Sequence, residues 1–270
     1  MAESTLTLCY IELMSDVSYF LWGKTDATQL TSKQWDVCDA CVQAGYRQFL
    51  FPPAIEGASA GYEWTFMRPV SSIDTVADTA DQEMPENFGR LIGNGFTFAA
   101  DSQVPSVLAD VGEGHIRRLR QAGSETGRPR VAGLRRVNNE NAEAQRWEVM
   151  WHPTPDAVYT LEFRFGVLVE ALTETNEKVY PLGGLMHADT LRSSCLAAAD
   201  ARVNDVLDGV KYQDFIRRVA ASIVRDKAES AKFFGEVGSR GQYENDGSSS
   251  GLPYSNYTLT VGGSQIHPAT

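Results

Sequence analysis

The chain has 270 residues, 43% of them hydrophobic, and sets 24 basic side chains against 35 acidic ones for a net charge of −11. That length and apolar content suffice for a buried core without disulfide staples, while the acidic balance excludes a chain-wide nucleic-acid binder, which draws its affinity from clustered Lys and Arg. No apolar run approaches the roughly 18–20 residues that cross a bilayer, and the opening MAESTLTL has an acid and no basic leader segment, so the chain is expected in a cytoplasm or in something assembled there.

Residues 5–22 place Leu6, Cys9, Leu13, Val17, Phe20 and Leu21 at steps of three and four, which predicts an amphipathic helix stopped by Gly23. Thr31 and Gln34 form a capping-box pair ahead of Trp35, Cys38, Cys41, Val42 and Phe49, and Pro52-Pro53 ends this second helix. The pair Cys38-x-x-Cys41 falls mid-helix and has no second ligand pair. With Cys9 and Cys195 among apolar neighbours, buried free thiols are expected and neither a metal nor a redox site.

After the helical hairpin comes GYEWTFMRPV, Gly61 to Val70, in which Tyr62, Trp64 and Phe66 alternate with Glu63, Thr65 and Met67. The alternation predicts an aromatic stripe that straps the hairpin to a β-rich block. Glu63 and Arg68 read as orienting partners, within the subunit or across an interface, rather than as an acid/base pair. Residues 71–86 hold five acids and no base, the pattern of a solvated connection.

From Phe88 the pattern changes to short alternating runs: FTFAA, RVAGLRRV, RWEVMW and VYTLEFRFGV. Gly93 to Phe96, GNGF, reads as a hairpin-type turn, and HPTPDA between RWEVMW and VYTLEFRF as the reversal of an antiparallel hairpin. Helical spacing returns after Gly183-Gly184. Asp189 or Thr190 would cap a helix through Leu191, Cys195, Ala199 and Val206, and a last helix carries Tyr212, Phe215, Val219 and Ile223. Residues 235–270 contain seven glycines, six serines and two prolines and cannot build a core, yet Tyr257, Leu259 and Val261 alternate as a β-prone tip.

The layout predicts an α+β fold: an antiparallel-type four-helix bundle with an inserted β-rich region and an extended C-terminal tail. The expected divisions are 1–86 (helical hairpin and strap), 87–184 (inserted β-rich region), 185–235 (two helices completing the bundle) and 236–270 (C-terminal arm).

No nucleotide-binding, serine-hydrolase or zinc-protease motif occurs, and His115, His152, His187 and His267 stand apart in sequence; no catalytic residue, metal or cofactor is assigned. One basic cluster, Arg117, Arg118, Arg120, Arg128, Arg130, Arg135 and Arg136, faces the single acid Glu125. It reads either as a protein contact, the favoured choice because Arg suits desolvated interface pairs, or as a solvated face paired with the acidic 71–86 segment.

The order of helical hairpin, FLFPP, YEWTFMRPV, GRP (Gly127 to Pro129), QRWEVMWHPTPDAVYTLEFRF, YPLGG and CLAAAD resembles the head-to-tail adaptor proteins of tailed bacteriophages, also called head-completion or connector proteins. The likeness runs from about residue 5 to residue 235. It implies a non-enzymatic virion protein of the head–tail neck, assembled in the host cytoplasm as a ring, usually of twelve subunits, beneath the portal protein. The ring extends the DNA channel, passes double-stranded DNA without reading its sequence, and offers a platform to the next neck or tail protein; no membrane is involved. The arm is implied to dock on the portal, with Tyr243, Tyr254, Tyr257, Leu259 and Val261 as candidates; Glu63, Arg68, Arg117, Arg118 and Arg120 are candidates for the subunit interface, and Tyr62, Trp64 and Phe66 for the core strap. The alternatives are a virion-associated hydrolase using His152, Asp156 and Glu162, and an unrelated cytoplasmic protein-binding module.

Overall fold

The computed structural model describes residue 4 and residues 6–24, 29–54, 61–99, 107–123, 125–137, 146–174, 180–230, 259–261 and 264–266. The sequence's stop signals set the first helical pair. Helix α1 (Tyr10–Trp22) ends at Gly23, whose φ of +67° sends its N–H back to Tyr19 O at 2.9 Å. It starts later than the expected residue 5, because the Glu12 carboxylate accepts the Cys9 N–H at 2.8 Å and fixes the cap there. Helix α2 (Ser32–Leu50) opens on the Thr31/Gln34 capping box and stops short of Pro52.

Helix α4 (Gly184–Val203) begins ahead of Asp189, with Gly183 as its cap at φ +102°. A side chain at Gly183 would press on Phe49 and Phe66, so the helix starts where a glycine permits the chain to enter. Helix α4 is the hub, packed against α1, α2 and α5 (Val210–Ser230). Its small residues allow close approach: a Cβ on Gly45 of α2 would lie 2.4 Å from Cys195 Cα, and Ser194 Oγ donates to Gly45 O at 2.8 Å.

The expected four-helix bundle does not form. Among the described residues there are five helices, and they pack with sheet-connected segments: α3 (Glu113–Ala122) lies on the sheet, against strands β5 (Val131–Arg136) and β6 (Trp147–His152). The long helices do not close their core alone. Trp64 and Met67, which lead into the sheet, and Leu172, which leaves it, are buried with Leu13, Phe49 and Phe215. Helical periodicity shows which faces are apolar and not what covers them, which is why the pattern suggested a self-sufficient bundle.

The sheet has seven strands. With β5 and β6 it contains β1 (Val70–Asp74), β2 (Asp81–Glu83), β3 (Phe88–Phe98), β4 (Val107–Asp110) and β7 (Thr160–Val167), in the order β1-β7-β3-β4-β5-β6-β2. All its pairs are antiparallel except β4 with β5. Its buried face gathers Phe88, Phe96, Trp151, Leu161, Phe163 and Phe165 into a second core.

Three local expectations change. Residues 71–86 are not merely a solvated connection, since they contain both edge strands and the sheet begins at Val70. GNGF is a bulge inside β3: Ile92 faces Arg164 and Thr97 faces Glu162, with Gly93 and Gly95 at φ +87° and +105° absorbing the extra length. Strands β6 and β7 are not a hairpin; β6 pairs with β5 and β2, β7 with β1 and β3.

Flat, seven strands would hold the edge strands roughly 29 Å apart, but Gln82 Nε2 of β2 donates to Asp74 O of β1 at 2.8 Å. The sheet therefore curls until its edges meet. The link at 75–80 stitches the seam: Thr75 N donates to Tyr159 O at 3.0 Å, Asp78 N to Pro155 O at 2.8 Å, and Trp151 N to Ala80 O at 2.8 Å.

All of this belongs to one compact unit, Met1–Gly235; residues Glu236–Thr270 form a second. Within the second, β8 (Leu259–Val261) pairs antiparallel with β9 (Ser264–Ile266), Leu259 facing Ile266. The β-prone tip thus has a partner strand within its own unit.

Candidate functional site

The strap is irregular rather than a strand. It is extended to Trp64 and then makes a 3₁₀ turn at Thr65–Met67, which brings successive aromatics together. Trp64 is fully buried, its ring 5.0 Å from Phe49 and 5.5 Å from Phe66, and its Nε1 donates to Phe49 O at 2.9 Å. Tyr62 meets Trp64 edge-on at 5.2 Å, and His187 of α4 lies 5.0 Å from the Trp64 ring. The three strap residues thus meet in one aromatic cluster, formed by a turn and not by the alternation of a strand.

Asp226 of α5 holds the strap from the other side. Its buried carboxylate accepts Tyr62 OH at 2.6 Å, Thr65 N at 3.0 Å and Thr65 Oγ1 at 2.5 Å. Burial, followed by the Asp226 hydrogen bond and charge, pushes the Tyr62 phenol well above its ordinary value. Sequence reasoning missed Asp226. The signal was available, because Val219, Ile223 and Asp226 recur at steps of four and three, which puts a carboxylate on the apolar stripe of a helix.

Glu63 and Arg68 pair within the chain at 2.9 Å, and the same Glu63 oxygen also accepts from Arg90 of β3. Burial would raise the Glu63 carboxyl, but the hydrogen bonds and charges of Arg90 and Arg68 outweigh it and hold it below the usual range. Two guanidiniums share one carboxylate, which leaves donors of both free to reach outward. Beside them opens an apolar cleft of about 410 Å³ lined by Leu50, Phe51, Pro52, Met67, Val167 and Leu168, with Arg90 on its wall.

The arginine cluster divides. Arg120 Nη2 donates to Asp81 Oδ1 at 2.7 Å, Ala80 O at 2.9 Å and Trp151 O at 3.1 Å, and Arg135 bonds both Asp81 and Glu148. Hydrogen bonding to Glu148, ahead of the opposing effect of burial, raises the Arg135 guanidinium further. These residues lock α3 and β5 to β2, the pairing with the acidic 71–86 segment that charge complementarity allowed. Arg128 stacks 3.9 Å over the Phe98 ring and Arg136 4.9 Å over Trp147. Arg117 meets Glu113 one turn away at 3.2 Å, and Arg118 remains exposed on α3.

Leu259 and Val261 lie on β8; Tyr243, Tyr254 and Tyr257 fall outside the described residues. His152 ends β6, Asp156 accepts Tyr159 OH at 2.7 Å, and Glu162 is exposed on β7, so the three stand on segments with separate partners. Cys38, Cys41 and Cys195 are buried, and burial raises each thiol, that of Cys38 to about 12. Among the described residues no group of three or more His, Cys, Asp or Glu is placed to hold a metal ion, and no helix is long and apolar enough to cross a membrane. Compared with models of known protein families the chain matches none, and compared with curated proteins it likewise finds no significant match.

Proposed function

We propose that the chain is a structural adaptor of a tailed bacteriophage: a subunit of a ring, of the dodecameric kind, beneath the portal protein, joining capsid to tail and prolonging the DNA channel. The observation that carries this reading is the division between a body, Met1–Gly235, and a separate C-terminal unit that contains a β-hairpin. A body followed by a β-prone C-terminal unit is the form of a protein that docks by adding backbone hydrogen bonds to a partner. The ordered phrases from the FLFPP turn to CLAAAD, with the strap between them, support the same family.

The net charge of −11 fits this role. A ring multiplies every exposed charge, and an acidic lumen repels the phosphate backbone, so a duplex slides without being held. With Arg120 and Arg135 committed inside the subunit, the cations left for partners are fewer than the sequence count.

The test is sedimentation of the purified full chain and of a chain ending at Gly235, each alone and mixed with portal rings encoded alongside it. The full chain is expected to co-sediment with the portal and the shortened one to lose most of that binding while keeping its circular-dichroism spectrum. Failure of the full, folded chain to bind the portal would overturn the reading.

A further inference from the structure

The turn between α4 and α5 is a built projection. Asp205 takes a left-handed conformation at φ +56°, Asn204 N and Val206 N both return to Asp200 O, and Gly209 packs so closely that a Cβ there would lie 2.6 Å from Val206 Cγ1. Its apolar side chains nevertheless face water: Val206 is 41% exposed, Leu207 69% and Val210 81%. Exposed acids, Asp205 and Asp208, flank them, while the neighbouring Lys211 lies over the Phe20 ring of its own chain.

The same body carries the complementary surface. The cleft of about 410 Å³ has an apolar lining, and Phe51 at its edge is 65% exposed. Glu63 and Arg90 lie on its wall and Arg68 pairs with the same Glu63 carboxylate beside it, a surplus of positive charge in an acidic protein. We propose that the α4–α5 turn of one copy inserts Leu207 and Val210 into the cleft of the next copy, with Asp205 and Asp208 meeting Arg68 and Arg90. This rests on the ring reading above and names the two faces that would join neighbours.

The contact is heterologous, because turn and cleft are different surfaces of one chain; such contacts close into rings or extend into filaments. It is also small. A single turn in a cleft buries less than the roughly 1,000 Å² of a stable interface, so copies in solution associate weakly, and the contact persists where a template or ring closure holds many at once.

The test is thiol cross-linking of full-length Leu207→Cys and Phe51→Cys chains, alone and mixed, in a Cys9→Ser background that removes the one partly exposed native thiol and leaves the buried Cys38, Cys41 and Cys195. Both substituted positions are exposed, and circular dichroism checks their folding. The mixture is expected to give about tenfold more covalent dimer than either variant alone, and the double variant a ladder of oligomers. Arg90→Asp in the Phe51→Cys chain, or Asp208→Arg in the Leu207→Cys chain, should cut the yield severalfold, and the two together should restore it. A mixture no more reactive than its components, or yields indifferent to the charge changes, overturns the proposal. Cross-linking by a chain that binds no portal would leave this contact standing and sink the adaptor reading. Portal binding with no cross-link, free or on the portal, would do the reverse.

Discussion

Trp64 Nε1 donates to the carbonyl of Phe49 at 2.9 Å, and that carbonyl belongs to the last turn of α2. The final four carbonyls of a helix have no partner within it, so an indole from the strap caps the helix it packs on. Trp64→Ala removes the bond and the ring contacts and should cost about 3–5 kcal/mol. Trp64→Phe keeps most of the packing and leaves one buried carbonyl bare, at about 1–3 kcal/mol. Urea unfolding of both variants checks the order; a Trp64→Phe chain as stable as the parent would mean that the bond contributes nothing, and equal losses that the ring packing adds nothing beyond the bond.

Asp226 should be as sensitive as a core residue despite its charge. Asp226→Asn replaces one accepting oxygen by an amide that must face Tyr62 OH or Thr65, and the expected loss is about 1–3 kcal/mol. Hydrogen exchange should quicken first at residues 62–68 and at the C-terminal turns of α5, where the latch joins them. A uniform change over the whole chain would contradict a local latch.

Arg120 and Arg118 lie two residues apart on α3 and should behave differently. Arg120→Ala removes one donor each from Asp81, which keeps Arg135, and from the carbonyls of Ala80 and Trp151, and should destabilise by about 2–3 kcal/mol. Arg118→Ala, on the exposed face, should stay within about 0.5 kcal/mol. Arg120→Lys should recover only part of the loss, because a single ammonium cannot reproduce the guanidinium's planar fork. Thermal melts of the three variants decide this.

Alkaline pH should weaken the fold. Burial raises the thiols of Cys38, Cys41 and Cys195, and burial with the Asp39 and Asp226 carboxylates raises the phenols of Tyr10 and Tyr62. Groups raised in the folded state give stability that is full below their unfolded values, about 8.5 for Cys and 10 for Tyr, and is lost as pH rises towards the folded ones. The urea midpoint should therefore fall steadily above about pH 8.5, and less so in a Tyr10→Phe, Tyr62→Phe chain. Glu63 acts in the opposite sense: its lowered carboxyl gives stability that is present above the unfolded value and lost as pH falls through the folded one.

Local signals were the legible part of the sequence. The Thr31/Gln34 box and Gly23 marked helix ends because caps are set by neighbouring residues. The aromatic strap was visible because its three rings lie within five positions. What failed was pairing at a distance. HPTPDA has the residues of a reversal, but nothing in it states that β6 turns to β5 and β2 while β7 goes to β1 and β3. GNGF satisfies a two-residue turn and a bulge equally, and the choice fell to β7, which passes alongside both halves. The acids at 71–86 and the arginines at 117–136 were legible as complementary sets, whereas the particular match of Asp81 to Arg120 and Arg135 needed the sheet's curl.

That curl also governs how the β half would yield under load. An open sheet can be peeled from an edge, one hydrogen bond after another. Here the edge strands adjoin, and the chain between them, residues 75–80, is bonded to Trp151 on one side and Tyr159 on the other. A pull along this segment loads those bonds in parallel, so the curled sheet resists in shear and gives way as a whole. Such a hasp keeps the β half from unrolling stepwise.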